Sequence, residues 1–243
     1  MIDFAQYTNA GSREINEDYI TSAKKDNSYI FVLADGLGGH GRGEEASELV
    51  SEEILNCFRA WDNFADNMGQ AIEYAQQKLL EKQRENFARF EMKTTLVVLF
   101  ISDNVIRWGH IGDSRLYLMK KHKIKKRTLD HSVPQMLALA KDIKEKDIRF
   151  HPDRNKLLRV MGIEWGGHSY ELSDTMNVKN KLSLLLCTDG FWELITESEI
   201  EKTHKNTDGA IEWINKMVSI VENNGKDKDM DNFSAIAVRI TDR

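Results

Sequence analysis

Five short acidic segments stand at the ends of apolar runs. Tyr29–Ala34 runs into Asp35-Gly36, and Leu182–Cys187 runs into Thr188-Asp189-Gly190. Phe233–Ile240 is preceded by Asp231-Asn232, and Tyr19-Ile20 by Asn16-Glu17-Asp18. The fifth segment, Gly109-His110-Ile111-Gly112-Asp113-Ser114-Arg115, lies between two further apolar runs. Taken singly, each is ordinary turn chemistry, since Asp-Gly is a common turn dipeptide and Asn-Glu-Asp a polar loop. Together they imply more. Strand ends in a sandwich gather at one rim, and carboxylates gathered there repel one another strongly unless divalent cations occupy the cluster. Oxygen donors without cysteine or paired histidine suit the hard cations Mg²⁺ and Mn²⁺ better than zinc. Glycine after Asp35 and after Asp189 lets the backbone turn close and offer a carbonyl. Two such ions can hold a bridging water, lower its pKa and present hydroxide to phosphorus, so the chemistry implied is phosphoryl hydrolysis.

The elements that must position these groups are legible as periodicity. Strand-like runs are Tyr29–Ala34, Thr94–Ser102, Asn104–His110, Ser114–Lys120, Leu182–Cys187 and Phe233–Ile240. Apolar residues recur three or four apart at Ala46, Leu49, Val50, Ile54, Cys57, Phe58 and Trp61, which predicts a helix. A second helix reads through Met68, Ala71, Ile72, Ala75, Leu79, Phe87 and Phe90. A third carries Ala210, Ile211, Ile214, Met217, Val218 and Val221. The three strands of Thr94–Lys120 follow one another over short connections, which implies antiparallel neighbours. Helices come in blocks of their own and not between every pair of strands. The fold class is therefore α+β, an antiparallel sheet with helices packed outside it. Val133–Ile143 reads as a short helix within a segment of about 133–167 that suits a flap beside the site.

Composition narrows the class. The chain has 243 residues and a formal net charge of −5, with 41% apolar and 30% charged residues, enough for a substantial core. The acidic balance argues against a nucleic-acid partner. No apolar run approaches the roughly 18 residues that span a bilayer, and Met1-Ile2-Asp3-Phe4 lacks a signal-peptide layout. Cys57 and Cys187 stand far apart, which excludes a disulfide framework and a thiolate zinc site. With only two prolines and no linker-like stretch or repeat, a single cytoplasmic domain over 1–243 is expected.

At the level of motifs the sequence resembles the metal-dependent serine/threonine protein phosphatases of type 2C, particularly the compact bacterial members. The matching stretches stand in that family's order. Arg13-Glu14-Ile15-Asn16-Glu17-Asp18 is followed by Val32-Leu33-Ala34-Asp35-Gly36-Leu37-Gly38-Gly39-His40, Lys93-Thr94-Thr95-Leu96 and Gly112-Asp113-Ser114-Arg115. Then come Asp130-His131-Ser132, His151-Pro152-Asp153-Arg154-Asn155, Leu158-Arg159-Val160-Met161-Gly162, Thr188-Asp189-Gly190 and Asp231-Asn232-Phe233-Ser234. The ordered set, from about Tyr7 to Ile240, is specific where no single motif is. The resemblance implies an αββα sandwich of two antiparallel sheets with a binuclear Mg²⁺ or Mn²⁺ centre at one end. Carried over by position, Asp35 bridges both metals and the Gly36 carbonyl binds one. Asp189 and Asp231 bind the other, and Glu17 and Asp18 act largely through metal-bound water. Asp113 matches a ligand of a weaker third metal. Arg13 holds the substrate phosphate, a role that suits its bidentate fork. The implied reaction is in-line attack of a metal-bridging hydroxide on phosphoserine or phosphothreonine in phosphoprotein substrates. A kinase or its targets are the implied partners, and a monomer is expected.

Three positions depart from the family pattern. Leu37 stands where some relatives place a histidine proposed as general acid, so that route to leaving-group protonation is closed. His40 does not take over the role without geometry to support it. Glu193 stands where relatives carry aspartate, which puts direct third-metal ligation in doubt, and Lys93 replaces a small residue.

Rival readings are weaker. Gly36-Leu37-Gly38-Gly39-His40-Gly41 satisfies G-x-G-x-x-G, but Asp35 would set a charge beside a pyrophosphate and the acidic end of a second strand is missing. Asp227-Lys228-Asp229-Met230-Asp231 opens like an EF-hand loop but lacks its glycine and its bidentate glutamate. A catalytically silent phosphatase fold predicts loss of Arg13, Asp35, Asp189 or Asp231, all of which are present. The basic run Lys120–Lys126 reads as a solvated hairpin or edge strand, His131 and His151 as hydrogen-bonded structural histidines, and Trp108, Trp192 and Trp213 as core. Met136, Leu137 and Leu139 read as the apolar side of the flap helix.

Overall fold

The apolar runs fold into two antiparallel sheets stacked face to face, with helices on both outer faces. The computed structural model describes residues 1–37, 41–88, 91–102, 105–167, 169–177 and 181–241. Gly38, Gly39, His40 and Phe90 lie outside them.

One sheet has the order β1-β11-β10-β6-β7, built from β1 (Ile2–Asn9), β11 (Phe233–Ile240), β10 (Leu182–Cys187), β6 (Arg115–Lys120) and β7 (Lys123–Arg127). The other has the order β2-β3-β4-β5-β8, from β2 (Asp18–Lys25), β3 (Ser28–Asp35), β4 (Leu96–Ile101), β5 (Val105–Ile111) and β8 (Glu171–Leu172). The two-residue β9 (Met176–Asn177) also pairs with β5. Both faces of each sheet are covered, which explains why β3, β4, β10 and β11 are mostly apolar and buried at successive positions and not alternating. Phe31, Leu33, Val97, Leu99, Leu184, Leu186, Ile236 and Val238 fill the layer between the sheets. The alternate residues Ile30, Val32 and Val98 pack on α1 (Gly43–Ala60) and α2 (Phe64–Glu85). On the opposite outer face, Leu185, Cys187, Ala235 and Ala237 meet α6 (Ala210–Gly225) and α5 (Glu197–Lys205). Trp108, Trp192 and Trp213 are all core. All strand pairs are antiparallel, so the parallel crossover of a dinucleotide module is absent among the described residues.

Several boundaries differ from expectation. Helix α2 stops at Glu85, and Phe87 adopts a left-handed conformation and is 96% exposed, so the periodicity there is accidental. The flap helix α3 (Val133–Leu139) buries Pro134 and Gln135 while Met136 and Leu139 face solvent, reversing the expected apolar side. Its start is fixed by the Ser132 hydroxyl accepting from Gln135 N. Helix α5 carries no apolar stripe beyond Ile200 and is marked instead by a capping box, Thr196 with Glu199.

Candidate metal centre

Antiparallel register brings the acidic segments to one rim. Asp18 begins β2 and pairs directly with Asp35, which ends β3. On the facing sheet Cys187 at the end of β10 pairs with Ala235 near the start of β11, so Asp189 and Asp231 arrive at the same edge. Asp113 joins them from the connection between β5 and β6. Arg13, Glu17, Asp35, Asp113, Asp189 and Asp231 line one open basin of about 910 Å³. Glu17, Asp35, Asp113, Asp189 and Asp231 line this basin, Asp18 lies buried beside them, and Glu193 lines the adjoining recess.

Backbone and hydroxyl groups lock the carboxylates in place. The Thr94 hydroxyl and the Thr95 N–H both donate to the Asp35 carbonyl (2.8 and 2.9 Å), and Asp35 N–H donates to the Thr95 hydroxyl (3.1 Å). Thr188 donates its hydroxyl to Asp18 Oδ2 (3.0 Å) and accepts from Ser234 N–H (3.0 Å), tying the two sheets together across the site. Asn232 is buried. Its Oδ1 accepts from Glu17 N–H (2.8 Å), while its amide donates to the Ala10 and Ile15 carbonyls. Thr94, Thr95, Thr188 and Asn232 belong to the quoted motifs, yet nothing in the sequence assigned them these roles. Close approach requires glycine at Gly36 and at Gly190. A Cβ at Gly36 would collide with the Gly43 carbonyl and lie 2.7 Å from the Glu17 carbonyl oxygen, and one at Gly190 would run into the Asn232 carbonyl oxygen.

The electrostatics fit cations. Burial, then the nearby Asp189 and Asp231 charges, push the Asp18 carboxyl up to about 7. Asp189 is likewise pushed up to about 7, by burial and then by Glu193 and Asp231. Burial and the surrounding aspartates hold Asp35 and Asp113 above the ordinary carboxylate range, and Asp35 and Asp189 are close enough to share a hydrogen bond. Asp18 Oδ1 is buried with no hydrogen-bond partner. Repelling, desolvated carboxylates with an unsatisfied buried oxygen are a donor set for hard divalent cations, and the residues present fit that cofactor.

Other positions resolve the departures. Arg13 is half exposed at the rim, where its Nε donates to Asp231 Oδ1 (3.1 Å) and its Nη1 to Asp229 Oδ2 (3.3 Å). Glu193 is engaged by Arg154 Nε at 2.8 and 2.9 Å, which occupies its carboxylate. Lys93 and Leu37 line the basin, and Leu37 N–H donates to the Lys93 carbonyl. The segment expected as a flap supplies Asn155, Leu157, Leu158 and Val160 to the basin wall. Arg115 is buried, bidentate to Asp130 and stacked 3.4 Å from the Trp192 ring, so this arginine serves packing while Asp113 of the same motif faces the basin.

A second trio, His110, His131 and Glu171, brings one donor atom from each side chain within 4.8 Å of the others. Its hydrogen bonds define a different purpose. Gly112 N–H donates to His131 Nδ1, which leaves the proton of the neutral ring on Nε2, 3.5 Å from Glu171 Oε1. His110 Nε2 bonds the Leu129 carbonyl, and the two rings stack with centroids 4.8 Å apart. His151 Nδ1 accepts from Asp153 N–H. Both sequence-named histidines are tied into local hydrogen bonds.

The protein phosphatase 2C family model matches residues 6–233. The serine/threonine phosphatase stp of Listeria monocytogenes is 32% identical over 192 residues, covering 75% of this chain and 74% of that protein. The crystal structure of the serine/threonine phosphatase Stp1 from Staphylococcus aureus superposes with a TM-score of 0.88 at 27% identity, covering 100% of this chain and 96% of that one. The catalytic domain of the phosphatase PstP, solved with two manganese ions, shares the fold at a TM-score of 0.84 and 21% identity, covering 99% of each chain. The chain belongs to the protein phosphatase 2C family of metal-dependent serine/threonine phosphatases. It is a phosphoric monoester hydrolase that acts on phosphoproteins. Among the described residues no helix is long and apolar enough to cross a membrane.

Proposed function

We propose that Asp35, Asp189 and Asp231, the Gly36 carbonyl, Glu17 and Asp18 hold two Mg²⁺ or Mn²⁺ ions, with Asp113 reaching toward a third. The observation that carries this reading is the mutually repelling, desolvated group Asp18, Asp35, Asp113 and Asp189, with its orphaned Asp18 Oδ1. Divalent cations bound there would neutralise phosphoryl oxygens and lower the pKa of water. The chain's own residues do the rest. The threonine pair fixes the Asp35 backbone, Thr188 orients Asp18, and Asn232 fixes the Glu17 segment, so the donors are preorganised. Arg13 clamps the incoming phosphate, its fork exchanging Asp229 and Asp231 for phosphoryl oxygens of matching geometry. With Leu37 in the basin wall, no side chain at that position supplies a proton to the leaving hydroxyl.

The substrates we infer are phosphoserine and phosphothreonine proteins acted on by a cognate kinase, hydrolysed by a monomer of one domain over 1–243. Two free buried cysteines, Cys57 and Cys187, suit the reducing cytoplasm. The test is phosphate release from a phosphothreonine peptide with Mn²⁺ or with EDTA, run beside Asp189→Asn. Turnover is expected only with Mn²⁺, and at least about a hundredfold lower in the variant. Equal release under all conditions would refute the assignment.

A further inference from the structure

At the end of β10 and β11 remote from the carboxylates, roughly 20 Å along the strands, lies a recess of about 480 Å³. The Lys121-His122 turn between β6 and β7 forms one wall, with both residues in left-handed conformations. The connection from α5 to α6 forms another. This is where the basic run of the sequence goes, and phosphatase chemistry makes no use of it. Lys120, Lys121, Lys181 and Arg239 line the recess against one acidic lining residue, Asp208, in a chain whose formal net charge is −5. The local balance is opposite in sign to that of the whole molecule.

Arg239 is the second observation. It is only 7% exposed, yet every acceptor recorded for it is neutral: the Thr207 carbonyl (2.8 Å), the Thr207 hydroxyl (2.6 Å) and the His204 carbonyl (3.1 Å). Its Nε is buried with no partner. A buried guanidinium without a hydrogen-bonded carboxylate is costly unless an anion approaches it. Burial holds its pKa below the ordinary arginine value, with Asp3, Asp208 and Glu212 acting on it only coulombically. Beside it runs a relay from Ser183 Oγ to His204 Nε2 (2.8 Å) and from His204 Nδ1 to His122 Nδ1 (2.9 Å). The relay ends on an exposed imidazole that lines the recess. The apolar residues Met119, Leu182 and Ile240 complete the lining.

We propose that this recess binds a small organic phosphate of nucleotide size, its phosphate held by Lys120, Lys121 and Arg239 and its organic body against Met119, Leu182 and Ile240. The volume falls within the about 300–1,000 Å³ range of small-molecule sites. A concave recess with buried polar groups favours such a ligand over a flat anionic surface. The site is distinct from the metal basin, with which it shares no lining residue.

Calorimetric titration of the full chain in EDTA tests this, because chelation removes metal-mediated phosphate binding at the basin. ADP and ribose 5-phosphate are expected to bind saturably with Kd below about 1 mM, and inorganic phosphate at least about tenfold more weakly. Replacing both exposed lysines, Lys120→Gln with Lys121→Gln, is expected to weaken ADP binding about tenfold. Circular dichroism of the variant is expected to match that of the parent. Any of four results overturns the proposal: no saturable heat from either organic phosphate, an unchanged Kd in the double variant, inorganic phosphate binding as tightly as ADP, or an aspartate-rich peptide binding more tightly than ADP.

Discussion

Asn232 shows how much of this centre depends on residues that never touch the reacting atoms. Its side chain satisfies three backbone groups at once, one on Glu17 and two in the loop that precedes it. Asn232→Ala leaves the Glu17 N–H and two carbonyls without these partners, which costs about 1–3 kcal/mol. Such supports typically change metal affinity about 10–100-fold. Urea unfolding and Mn²⁺ titration of the variant are expected to show both losses. Arg13 behaves differently, because its guanidinium is shared with Asp231 and Asp229. Arg13→Ala is expected to reduce phosphopeptide kcat/KM about tenfold or more. Its effect on Mn²⁺ affinity should be small, since the surface pair it breaks is worth little. An equal loss of metal binding would show that Arg13 serves Asp231 and not the phosphate.

At the scale of elements, the site is a consequence of strand ends and of the glycines that let them converge. Helix α4 (Asp189–Trp192) starts directly after β10, and Gly190 within it lies against the Asn232 carbonyl. Gly190→Ala would force α4 away from the start of β11. Overpacking of this kind costs typically about 1–3 kcal/mol, read as a lower urea midpoint with an unchanged m-value. The strands themselves were legible. Leu182–Cys187 and Phe233–Ile240 have the bounds their apolar runs predicted, because strands buried on both faces carry apolar residues at neighbouring positions on both sides. Edge strands leave a weaker one. In β1 only Ala5 is fully buried, and β7 is mostly basic, so neither stood out as a strand, although β7 does form the edge expected of the Lys120–Lys126 run. The reach of α2 was overread at Phe87 because periodicity continues past Glu85 while the backbone turns left-handed.

For the molecule as a whole, the proposed metal ligands imply that protons and cations compete for one set of carboxylates. Without cations, Asp18 and Asp189 titrate near 7 in the fold, against an ordinary 3.8. The folded state therefore binds more protons than the unfolded one between about pH 4 and 7, and its stability falls as pH rises through that window. His131 and His204, held down to about 4 by burial, act in the opposite sense. Their neutral folded forms lose stability as pH falls from about 6.5 toward 4, with or without cations. The histidine contribution cancels in a difference. The Tm with Mn²⁺ minus the Tm with EDTA is expected to grow from about pH 5 to 7.5 and then level off, because the cations displace protons from the carboxylates. A flat difference would mean that these groups are not the ligands. The sequence by itself determined the chemistry, since hard oxygen donors at the ends of apolar runs are a local, one-dimensional signal that turn residues and periodicity carry. Only the tertiary structure decided that Asp18 faces Asp35 in register, that Arg154 occupies Glu193, that Asn232 holds Glu17, and that a buried arginine walls a basic recess. Those are contacts between residues far apart in the chain, fixed by the stacking of two sheets, and pairings across that distance have no signature in the order of the amino acids.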